Sequence, residues 1–423
     1  MRFCFLTTFY PPANFGGDGI QVQRLAHALA ERGHSVTVVH SAEAFRVLAH
    51  GPPSMAADQG RGITVVPVDS GVGWISPLAT YLSGRPLFAR SRLEDVLRDE
   101  FDVLHFHNPS LLGGPSLLKM GSGIKLYTAH EQWLLCPSHT LWKHKRRICE
   151  APPCWSCTFS YGRPPQLWRY TGLLEESLAH LDALIVPSRT SAALHERFSS
   201  IVPLAHIPHF VPDPGAAGSP DDGVPPGERP FFLFAGRLES IKGVGTLLRV
   251  FRHQRTVDLA IAGTGSLARA LQDEAEDLPH IHFLGWRSES ELDRLYRDGL
   301  AVIVPTAGHE AFGLVPVEGF ARATPAIVRD FGALRELIVD SGGGLAFGSE
   351  RELEDSLAAI AADPGLRQTL GQRGHEAYER LWTQRAHLMR YFSLIGDVAE
   401  TRGDAAVAGA ARAAASREGT VAH

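Results

Sequence analysis

One stretch, residues 301–323, decides the fold of this chain: AVIVPTAGHEAFGLVPVEGFARA. Its opening apolar run is bounded by a proline and predicts a short, buried parallel strand. A turn with Gly313 follows, and the apolar segment from Val317 to Ala323 predicts a helix, with Pro316 suited to the first helical turn. Glu310 and Glu318 stand on either side of the turn. The sequence therefore predicts a strand, a turn and a helix, with one carboxylate before the turn and one after it.

This arrangement suits a nucleotide sugar. A helix that begins just after a turn presents unpaired backbone N–H groups and a positive dipole end, and both favour a phosphate. Glu318 lies inside the predicted helix and can reach ribose hydroxyls beyond the phosphate, while Glu310 lies on the other side of the turn. The alternative is a capping carboxylate and a surface glutamate that have this spacing by chance.

Length and composition indicate a two-domain globular enzyme. The chain has 423 residues, more than a single hydrophobic core usually fills, and 44% of them are hydrophobic. The net charge of -5 argues against a dedicated nucleic-acid binder, which would carry a concentrated basic excess. The first eight residues turn polar too early for a signal peptide, and no apolar run approaches the length of a membrane span. We expect a cytoplasmic protein.

Short β-rich runs alternate with helical patterns along the chain, which is typical of parallel sheets covered on both faces. A clear helical pattern, Ile20–Arg32, ends at Gly33. Strands are predicted at Arg2–Thr8, Ser35–Ser41, Ile63–Val68, Phe101–Asn108, Lys125–His130, Ala183–Ser188, Phe231–Gly236, Leu259–Gly263, Ile281–Gly285, Ala301–Thr306 and Ala326–Asp330. The pattern predicts two Rossmann-like halves.

Composition also predicts the domain boundaries. Residues 208–230 are rich in Pro, Gly and Asp, lack hydrophobic periodicity and are expected to link an N-terminal domain, 1–207, to a C-terminal domain, 231–380. Residues 381–402 are expected to form a final helix. The tail, 403–423, is mostly Ala, Gly and Arg and is predicted to be disordered.

Two cations follow the predicted strand that begins at Phe231. Arg237 comes directly after Gly236, and Lys242 lies five residues further on. Open α/β sheets bind ligands at the carboxyl ends of their strands. Fixed cations there would stabilise the charge that develops on a diphosphate leaving group. The alternative is a solvated arginine and lysine on a loop.

Two glycine-containing turns are further candidates for contact with a phosphate. Gly16 and Gly17 lie between a predicted strand and a predicted helix, where glycine permits close approach and positive φ. Gly263 and Gly265 fit the dinucleotide fingerprint G-x-G-x-x-A, which keeps an NAD-dependent dehydrogenase in consideration. That reading needs an acid at the end of the next strand, and the sequence there is Gly-Trp-Arg.

Histidine closes two of the predicted strands. His130 ends the strand that begins at Lys125, and His105 and His107 end the preceding one. A lone histidine in this position is more often a hydrogen-bonded structural residue than a ligand of substrate.

Four cysteines lie close together after His130, in a segment from Leu134 to Tyr161 that is rich in Trp, Pro and basic residues. Cys136, Cys149, Cys154 and Cys157 end in a C-x-x-C pair, and four thiols fit a tetrahedral structural zinc site. Free thiols and disulfides are the alternatives, the latter less expected in the cytoplasm.

Together these motifs, in this order, resemble the retaining glycosyltransferases of family 4, with the GT-B fold, over nearly the whole chain. The resemblance implies two Rossmann-like domains that face each other across a cleft, with the final helix folded back on the N-terminal domain. It implies transfer of a sugar from a UDP- or GDP-linked donor to a hydroxyl acceptor: a glycan, a lipid-linked molecule or a small molecule. No cofactor is expected for catalysis. The segment 134–161 departs from the common pattern of the family.

The resemblance also assigns roles. Arg237 and Lys242 would neutralise the diphosphate, Glu318 would hold the ribose, and His130 would contact the transferred sugar. Glu310 and the amides of Phe312, Gly313 and Leu314 would orient that sugar. The turns with Gly16, Gly17, Gly236, Gly263 and Gly265 would line the donor pocket, with Asp18 as a candidate acceptor contact. No nucleic-acid partner is expected.

The basic run Lys143–Arg147 suggests contact with a lipid headgroup or an anionic glycan, and so a location at the inner face of the membrane. A nucleotide-sugar epimerase on the same fold would convert its substrate without an acceptor and stays open beside the dehydrogenase. A non-catalytic module organised around the cysteine cluster, which would bind zinc and a partner, is the third alternative.

Overall fold

The computed structural model describes residues 1–49, 60–150, 154–215 and 229–420. The chain divides into two compact units. The first contains residues 1–139, 153–208 and 385–423, and the second contains residues 140–152 and 209–384.

The strands lie close to where hydrophobic periodicity predicts them, usually within two residues at either end. They are β1 (Arg2–Thr7), β2 (Ser35–Ser41), β3 (Ile63–Val68), β4 (Val103–Asn108), β5 (Ile124–Thr128), β6 (Trp142–Lys143), β7 (Arg147–Ile148), β8 (Ala183–Val186), β9 (Leu204–His206), β10 (Phe231–Ala235), β11 (Asp258–Ala262), β12 (Ile281–Gly285), β13 (Val302–Val304), β14 (Ala326–Arg329) and β15 (Gly344–Phe347).

Helices alternate with most of these strands. They are α1 (Gly17–Glu31), α2 (Ala42–Ala49), α3 (Ile75–Ser83), α4 (Arg90–Val96), α5 (Cys154–Ser160), α6 (Leu173–Leu178), α7 (Arg189–His195), α8 (Val244–Phe251), α9 (Ala268–Glu274), α10 (Glu289–Asp298), α11 (Leu314–Phe320), α12 (Gly332–Ser341), α13 (Glu350–Ala362), α14 (Pro364–Leu381), α15 (Gln384–Arg402) and α16 (Ala405–Thr420). No helix within the described ranges has the length and hydropathy that crossing a membrane requires.

The first unit is built on a parallel sheet in the order β3-β2-β1-β4-β5-β8-β9. The strand order reverses between β1 and β4, where the chain passes from one side of the sheet to the other. In open α/β sheets ligands bind at such a switch point, outside the carboxyl ends of the two strands. The residues that follow Thr7 and those that end β4 at Asn108 therefore have the favoured position in this unit.

The second unit repeats the plan with the parallel order β12-β11-β10-β13-β14-β15. Side chains of β10 alternate between two apolar clusters: Phe232 and Phe234 join one, Phe231 and Leu233 the other. Burial on both faces explains why this strand reads as a continuous apolar run. The switch point lies between β10 and β13, the two strands that precede the cations and the carboxylates singled out in the sequence.

The cysteine-containing insertion, 134–161, is divided between the units. Residues 140–152 group with the second unit, and the flanking residues belong to the first. The basic run Lys143–Arg147 forms the turn of the antiparallel pair β6 and β7, in which His144 and Lys145 have positive φ. Of the linker predicted at 208–230, residues 216–228 lie outside the described residues.

The prediction of a disordered tail from residue 403 is wrong for the described part of it. Ala405–Thr420 form α16, which begins after Asp404, whose carboxylate accepts a hydrogen bond from the Val407 amide at 3.0 Å. Alanine has the highest helix propensity of all residues. Its small side chain also allows close packing, and Ala411 is fully buried. The composition that suggested disorder therefore favours a packed helix here.

Candidate functional site

The switch point of the second unit brings together a lysine and a glutamate from two different loops. Lys242 ends a 3-10 helix in the loop after β10, and Glu310 lies in the loop after β13. The Lys242 ammonium donates a hydrogen bond to Glu310 Oε1 at 2.5 Å, and the Thr306 hydroxyl donates to the same oxygen at 2.9 Å. The sequence predicted both charges near this edge of the sheet but not their contact.

Positive charge keeps the Glu310 carboxylate ionised. Burial alone would raise its pKa, but the ammonium of Lys242, the hydroxyl of Thr306 and the charge of Arg237 hold the pKa below its ordinary value. Arg237 is exposed and close enough to act on Glu310 through its charge. An ammonium has three N–H donors, so Lys242 can hold Glu310 and still donate to a phosphate. The loops thus present a fixed carboxylate beside two cations.

The second carboxylate, Glu318, lies in α11 and is held by a tyrosine. The Tyr296 hydroxyl, on α10, donates a hydrogen bond to Glu318 Oε2 at 2.8 Å. Arg322 donates to the Glu318 backbone carbonyl at 2.8 Å and to Asp293 at 2.6 Å. The Arg322 guanidinium also lies over the Tyr296 ring, 5.2 Å from its centroid. These contacts fix the rotamer of Glu318 before any ligand binds.

The turn between the two carboxylates has the backbone conformation that only glycine adopts readily. Gly313 has a φ of 110°, and α11 begins at the next residue, Leu314. Phe312 is buried in the apolar cluster of the unit and packs edge to face against His209. His309, just before Glu310, has a buried Nδ1 atom without a hydrogen-bond partner in the described part of the chain.

The glycines after β10 and β11 pack against each other. A Cβ at Gly263 would lie 1.9 Å from the Gly236 carbonyl oxygen, and one at Gly265 would lie 2.5 Å from the Leu238 carbonyl oxygen. Close approach of the two loops therefore requires glycine at both positions, whether or not a ligand is present. This packing accounts for the dinucleotide-like spacing without a pyrophosphate, and removes the main support for a dehydrogenase.

The switch point of the first unit carries a second polar cluster. Asn108, which ends β4, donates from Nδ2 to Glu131 at 3.0 Å and to Asp18 at 3.4 Å. His139 Nδ1 lies 2.6 Å from the same oxygen of Glu131. Asp18 was expected as an acceptor contact from the resemblance; Asn108, Glu131 and His139 had no assigned role.

His130 is tied to His107 in this cluster. His107 Nδ1 and His130 Nε2 are 2.8 Å apart, a distance at which one ring donates to the other. Burial lowers the pKa of His130 to about 4, more than the nearby Asp18 carboxylate raises it. His130 is therefore neutral near pH 7. His105 is fully enclosed and contacts Tyr391 and Thr128 at 3.0 and 2.7 Å, which identifies it as a structural residue.

The glycine turn of the first unit differs from its prediction. Gly16 has a φ of -164°, which is extended backbone open to any residue, and Gly17 is the first residue of α1. The positive φ expected there is absent from Gly16. The steric need for glycine falls instead on Gly19, where a Cβ would lie 2.4 Å from the Asn14 side chain.

The four cysteines are not arranged to bind the predicted zinc ion. None of the chain's cysteines is in a disulfide, and among the residues with described positions no group of three or more His, Cys, Asp or Glu side chains is placed to hold a metal. Cys136 and Cys154 instead lie near Arg169, whose pKa burial lowers to about 10 while the two thiols act in the opposite direction.

Sequence analysis missed three residues of these sites: Thr306, Tyr296 and Asn108. Thr306 lies four residues before Glu310 in the same loop, whereas Tyr296 and Asn108 contact residues of other elements. Asn108 had a usable signal, since it closes a predicted strand, but the strand order that places it beside β1 is not visible in periodicity. Tyr296 had none, because its contact depends on how α10 packs against α11.

Two family descriptions match the chain, one in each half. The description "Glycosyltransferase Family 4" matches residues 15–214, and "Glycosyl transferases group 1" matches residues 219–377. Both the charged pair of the second unit and the polar cluster of the first lie within these matches.

Individual proteins give the same picture. An uncharacterized glycosyltransferase of Methanocaldococcus jannaschii is 30% identical over 36% of this chain, a match that spans 43% of its own length. The phosphatidyl-myo-inositol mannosyltransferase of Mycobacterium leprae is 26% identical over 90% of this chain and 93% of that protein. The structure of Anabaena HepE in complex with UDP and glucose superposes with a TM-score of 0.64 at 16% identity, covering 95% of this chain and 99% of that one.

Proposed function

The chain belongs to the glycosyltransferases of family 4, with the two-domain GT-B fold, and on that premise we propose that it moves a sugar from a nucleoside diphosphate to an acceptor hydroxyl with retention at the anomeric carbon. The observation that carries the proposal is the contact of Lys242 with Glu310 at the switch point of the second sheet. A cation and an ionised carboxylate fixed side by side suit a ligand that is anionic at its phosphates and rich in hydroxyls at its sugar.

In this proposal the second unit binds the donor. Lys242 and Arg237 neutralise the diphosphate, Glu310 accepts hydrogen bonds from hydroxyls of the transferred sugar, and Glu318 does the same for the ribose. UDP-sugars are the first donors to test, because the similar HepE structure contains UDP. The backbone amides of Phe312, Gly313 and Leu314 complete the contacts with the donor.

The first unit binds the acceptor. Asp18 and Glu131 share the amide of Asn108, so two carboxylates are held at one end of the sheet, where they can accept hydrogen bonds from neighbouring hydroxyl groups. A polyhydroxylated acceptor fits this chemistry, and the mannosyltransferase relative is named for such a group, phosphatidyl-myo-inositol. Neutral His130 donates or accepts one hydrogen bond without adding charge.

The course of the transfer in this proposal comes from the resemblance to the retaining enzymes of the family. The bond from the anomeric carbon to the diphosphate oxygen breaks, and a new bond to the acceptor oxygen forms on the same face. The acceptor proton passes to the leaving diphosphate. In the transition state additional negative charge develops on the diphosphate. Lys242 and Arg237 stabilise this charge more than they stabilise the charge of the bound donor, and they therefore raise the rate.

The test is a screen of UDP- and GDP-sugars with polyol, glycan and lipid acceptors, read as release of nucleoside diphosphate. We expect Lys242→Ala to lower turnover by about 10²–10³-fold, as loss of one fixed charge-stabilising donor does in other enzymes. Lys119→Ala is the matched control, because Lys119 also pairs with a carboxylate, Glu176, at 2.6 Å but lies in the other unit.

Three outcomes would contradict the proposal. Near-normal turnover by Lys242→Ala would show that the contact of Lys242 with Glu310 does not act in the reaction. Conversion of a nucleotide sugar to its epimer without any acceptor would identify an epimerase. Oxidation or reduction of a nicotinamide cofactor at a catalytic rate would identify a dehydrogenase.

A further inference from the structure

The first unit exposes large apolar side chains on one face of a helix. In α3 the buried residues are Ser76, Pro77, Thr80 and Tyr81, while Ile75, Leu78 and Leu82 are exposed. The exposed residues have the spacing i, i+3, i+7, so they form one stripe along the helix. A surface helix normally turns its apolar stripe inward. The outward stripe of α3 therefore needs a partner.

The stripe continues beyond the helix on both sides. Trp74, just before α3, is 61% exposed, and Leu87 and Phe88, after it, are 57% and 45% exposed. Large exposed residues that lie together mark interaction sites, whereas single ones are ordinary. Residues 74–88 thus expose an apolar strip that includes an entire helix face.

A second exposed segment packs beside α3. Residues 167–170 form a 3-10 helix, and the Trp168 indole donates a hydrogen bond to the Tyr81 carbonyl in α3 at 2.9 Å. From this anchor Leu167 and Tyr170 extend to the surface, and Tyr170 stacks on Trp155 with ring centroids 5.8 Å apart. We call residues 74–88 together with 155–170 the apolar surface.

Arginines are the charged residues within the apolar surface, and the acids that flank it are in ion pairs: Glu94 with Arg90, Asp95 with Arg98, and Glu176 with Lys119. From residue 71 to 93 the sequence contains three arginines and no acid, and from 154 to 174 it contains two arginines and no acid. Arg85, Arg92 and Arg163 are exposed. Glu176, whose carboxylate interacts with the charge of Arg85, forms an ion pair with Lys119. The partner must therefore be apolar at its centre and anionic where the arginines reach it.

We propose that the apolar surface docks on a lipid bilayer that contains anionic headgroups. A helix that exposes Leu and Ile and is flanked by Trp, Tyr and arginines has the composition of an interfacial segment, which lies in the plane of a membrane. Aliphatic and indole groups enter the boundary between headgroups and acyl chains, and the guanidinium groups bind headgroup phosphates.

Charge argues against a second copy of the chain as the occupant. In a two-fold symmetric dimer the same patch forms both sides of the interface, so the arginines of one copy would face those of the other. No carboxylate in the two segments would offset that repulsion. An anionic bilayer offsets it directly. The basic turn Lys143–Arg147 is part of the second unit and does not contribute to this argument.

The test uses the full-length chain and sedimentation with vesicles of phosphatidylcholine, with and without phosphatidylglycerol. We expect the protein to sediment with vesicles that contain phosphatidylglycerol, and to bind at least about tenfold less to phosphatidylcholine alone or at high salt. The triple variant Trp74→Ser, Leu78→Ser, Leu82→Ser should lose at least about tenfold in affinity. Val339→Ser is the matched control, since Val339 is 69% exposed on the second unit.

The charge of the surface is tested separately. The double variant Arg85→Glu, Arg92→Glu should also bind at least about tenfold more weakly, because each arginine near an anionic surface adds to the attraction. Arg269→Glu, at an exposed position of the second unit, should bind as the wild type does. Thermal unfolding of each variant checks that the fold is retained.

Several results would overturn the proposal. The wild type could stay in the supernatant with both kinds of vesicle, or the triple variant could sediment as the wild type does. A wild type that is dimeric by sedimentation velocity, with a monomeric triple variant and no vesicle binding, would identify a second copy as the occupant. Vesicle binding is measured without donor or acceptor, so its failure leaves the proposed reaction untouched.

Discussion

Tyr296 is the residue on which the position of Glu318 depends. Its hydroxyl is buried on α10 and donates to Glu318 Oε2, and the Arg322 guanidinium closes over its ring. A carboxylate held in this way meets the ribose in one rotamer, so little conformational entropy is lost when the donor binds. We therefore assign Tyr296 as a positioning residue for Glu318 in the proposed donor site.

Tyr296→Phe should weaken donor binding with little effect on the chemical step. Loss of one hydrogen bond to a charged group costs about 1.5 kcal/mol, which is about tenfold in affinity. We expect the KM for the donor and the Kd for its nucleoside diphosphate to rise by that factor while kcat changes less than threefold, about 0.6 kcal/mol. Tyr170→Phe, at an exposed tyrosine of the first unit, is the control. An unchanged Kd would show that the hydroxyl does not position Glu318.

At this scale the sequence predicted the charged groups but not their partners. Lys242 and Glu310 were both assigned from strand ends and spacing, since charge near the carboxyl end of a buried strand is a local pattern. Their 2.5 Å contact joins positions 68 residues apart and depends on β10 lying next to β13. That adjacency results from tertiary packing, and no local property of either loop encodes it.

At the scale of elements, the helix α16 shows how composition and environment together decide structure. A tail of mostly Ala, Gly and Arg suggested disorder, yet Ala411 is fully buried and Arg412 binds Asp397 at 2.6 Å and Glu400 at 2.9 Å on α15. A Cβ at Gly396 would lie 3.0 Å from Arg412, so the two helices approach closely. Small residues permit this approach, and ion pairs at the edge fix it.

Ala411→Asp should destabilise the first unit, and Ala413→Asp should not. Ala411 is buried, so aspartate would place an unpaired carboxylate in the interior, at a cost of about 2 kcal/mol or more in the free energy of unfolding. Ala413 is exposed on the same helix, where we expect a change within about 0.5 kcal/mol. The measurement is urea unfolding of both variants. Equal stabilities would mean that this helix does not pack in solution.

The strands were predicted better than any other element. Buried parallel strands are short apolar runs, and each of the predicted runs is a strand of the structure. Four short strands, β6, β7, β9 and β15, were missed. β6 and β7 have two residues each, β9 has only three, none of them fully buried, and β15 begins with glycine and is mostly half-buried. A strand that is partly exposed has no continuous apolar pattern to recognise.

At the scale of the whole molecule, the two units repeat one arrangement. In each, the strand order reverses once, and the reversal brings together polar side chains at the carboxyl ends of two adjacent strands: Lys242 and Glu310 in one, Asp18 and Asn108 in the other. The second unit holds cations beside its carboxylate, whereas the cluster of the first contains carboxylates, an amide and histidines. This difference in charge supports the proposed division between a phosphate-bearing donor and a hydroxyl-bearing acceptor.

The first unit also contains a set of histidines that burial keeps neutral. They are His34, His40, His105, His130 and His387. Burial is the largest cause in each case and lowers the pKa from the ordinary 6.5 to about 4. For His105 burial lowers the pKa well below 6.5. In the unfolded chain each binds a proton near pH 6.5, and in the folded chain it binds one only at a lower pH, about 4 for His34, His40, His130 and His387.

We therefore expect the first unit to lose stability between pH 6.5 and pH 4. In this window the unfolded state binds more protons than the folded state. The free energy of unfolding therefore decreases as the pH is lowered, by at most about 1.4 kcal/mol per pH unit for each histidine. Carboxylates such as Glu310, whose pKa lies below its ordinary value, lose their contribution only below about pH 4.5. Comparison of pH 7.5 with pH 5.5 thus isolates the histidines.

Urea unfolding at these two values should show a loss of at least about 2 kcal/mol in the transition of the first unit. His387→Gln should reduce the loss, because His387 donates through Nδ1 to the Pro208 carbonyl at 2.7 Å, a bond that glutamine can replace without titrating. His253→Gln, at an exposed position of the second unit, should leave the loss unchanged. A stability that stays constant from pH 7.5 to pH 5.5 would mean that these rings are protonated in the folded protein, and would also remove the neutral His130 on which the proposed acceptor site depends.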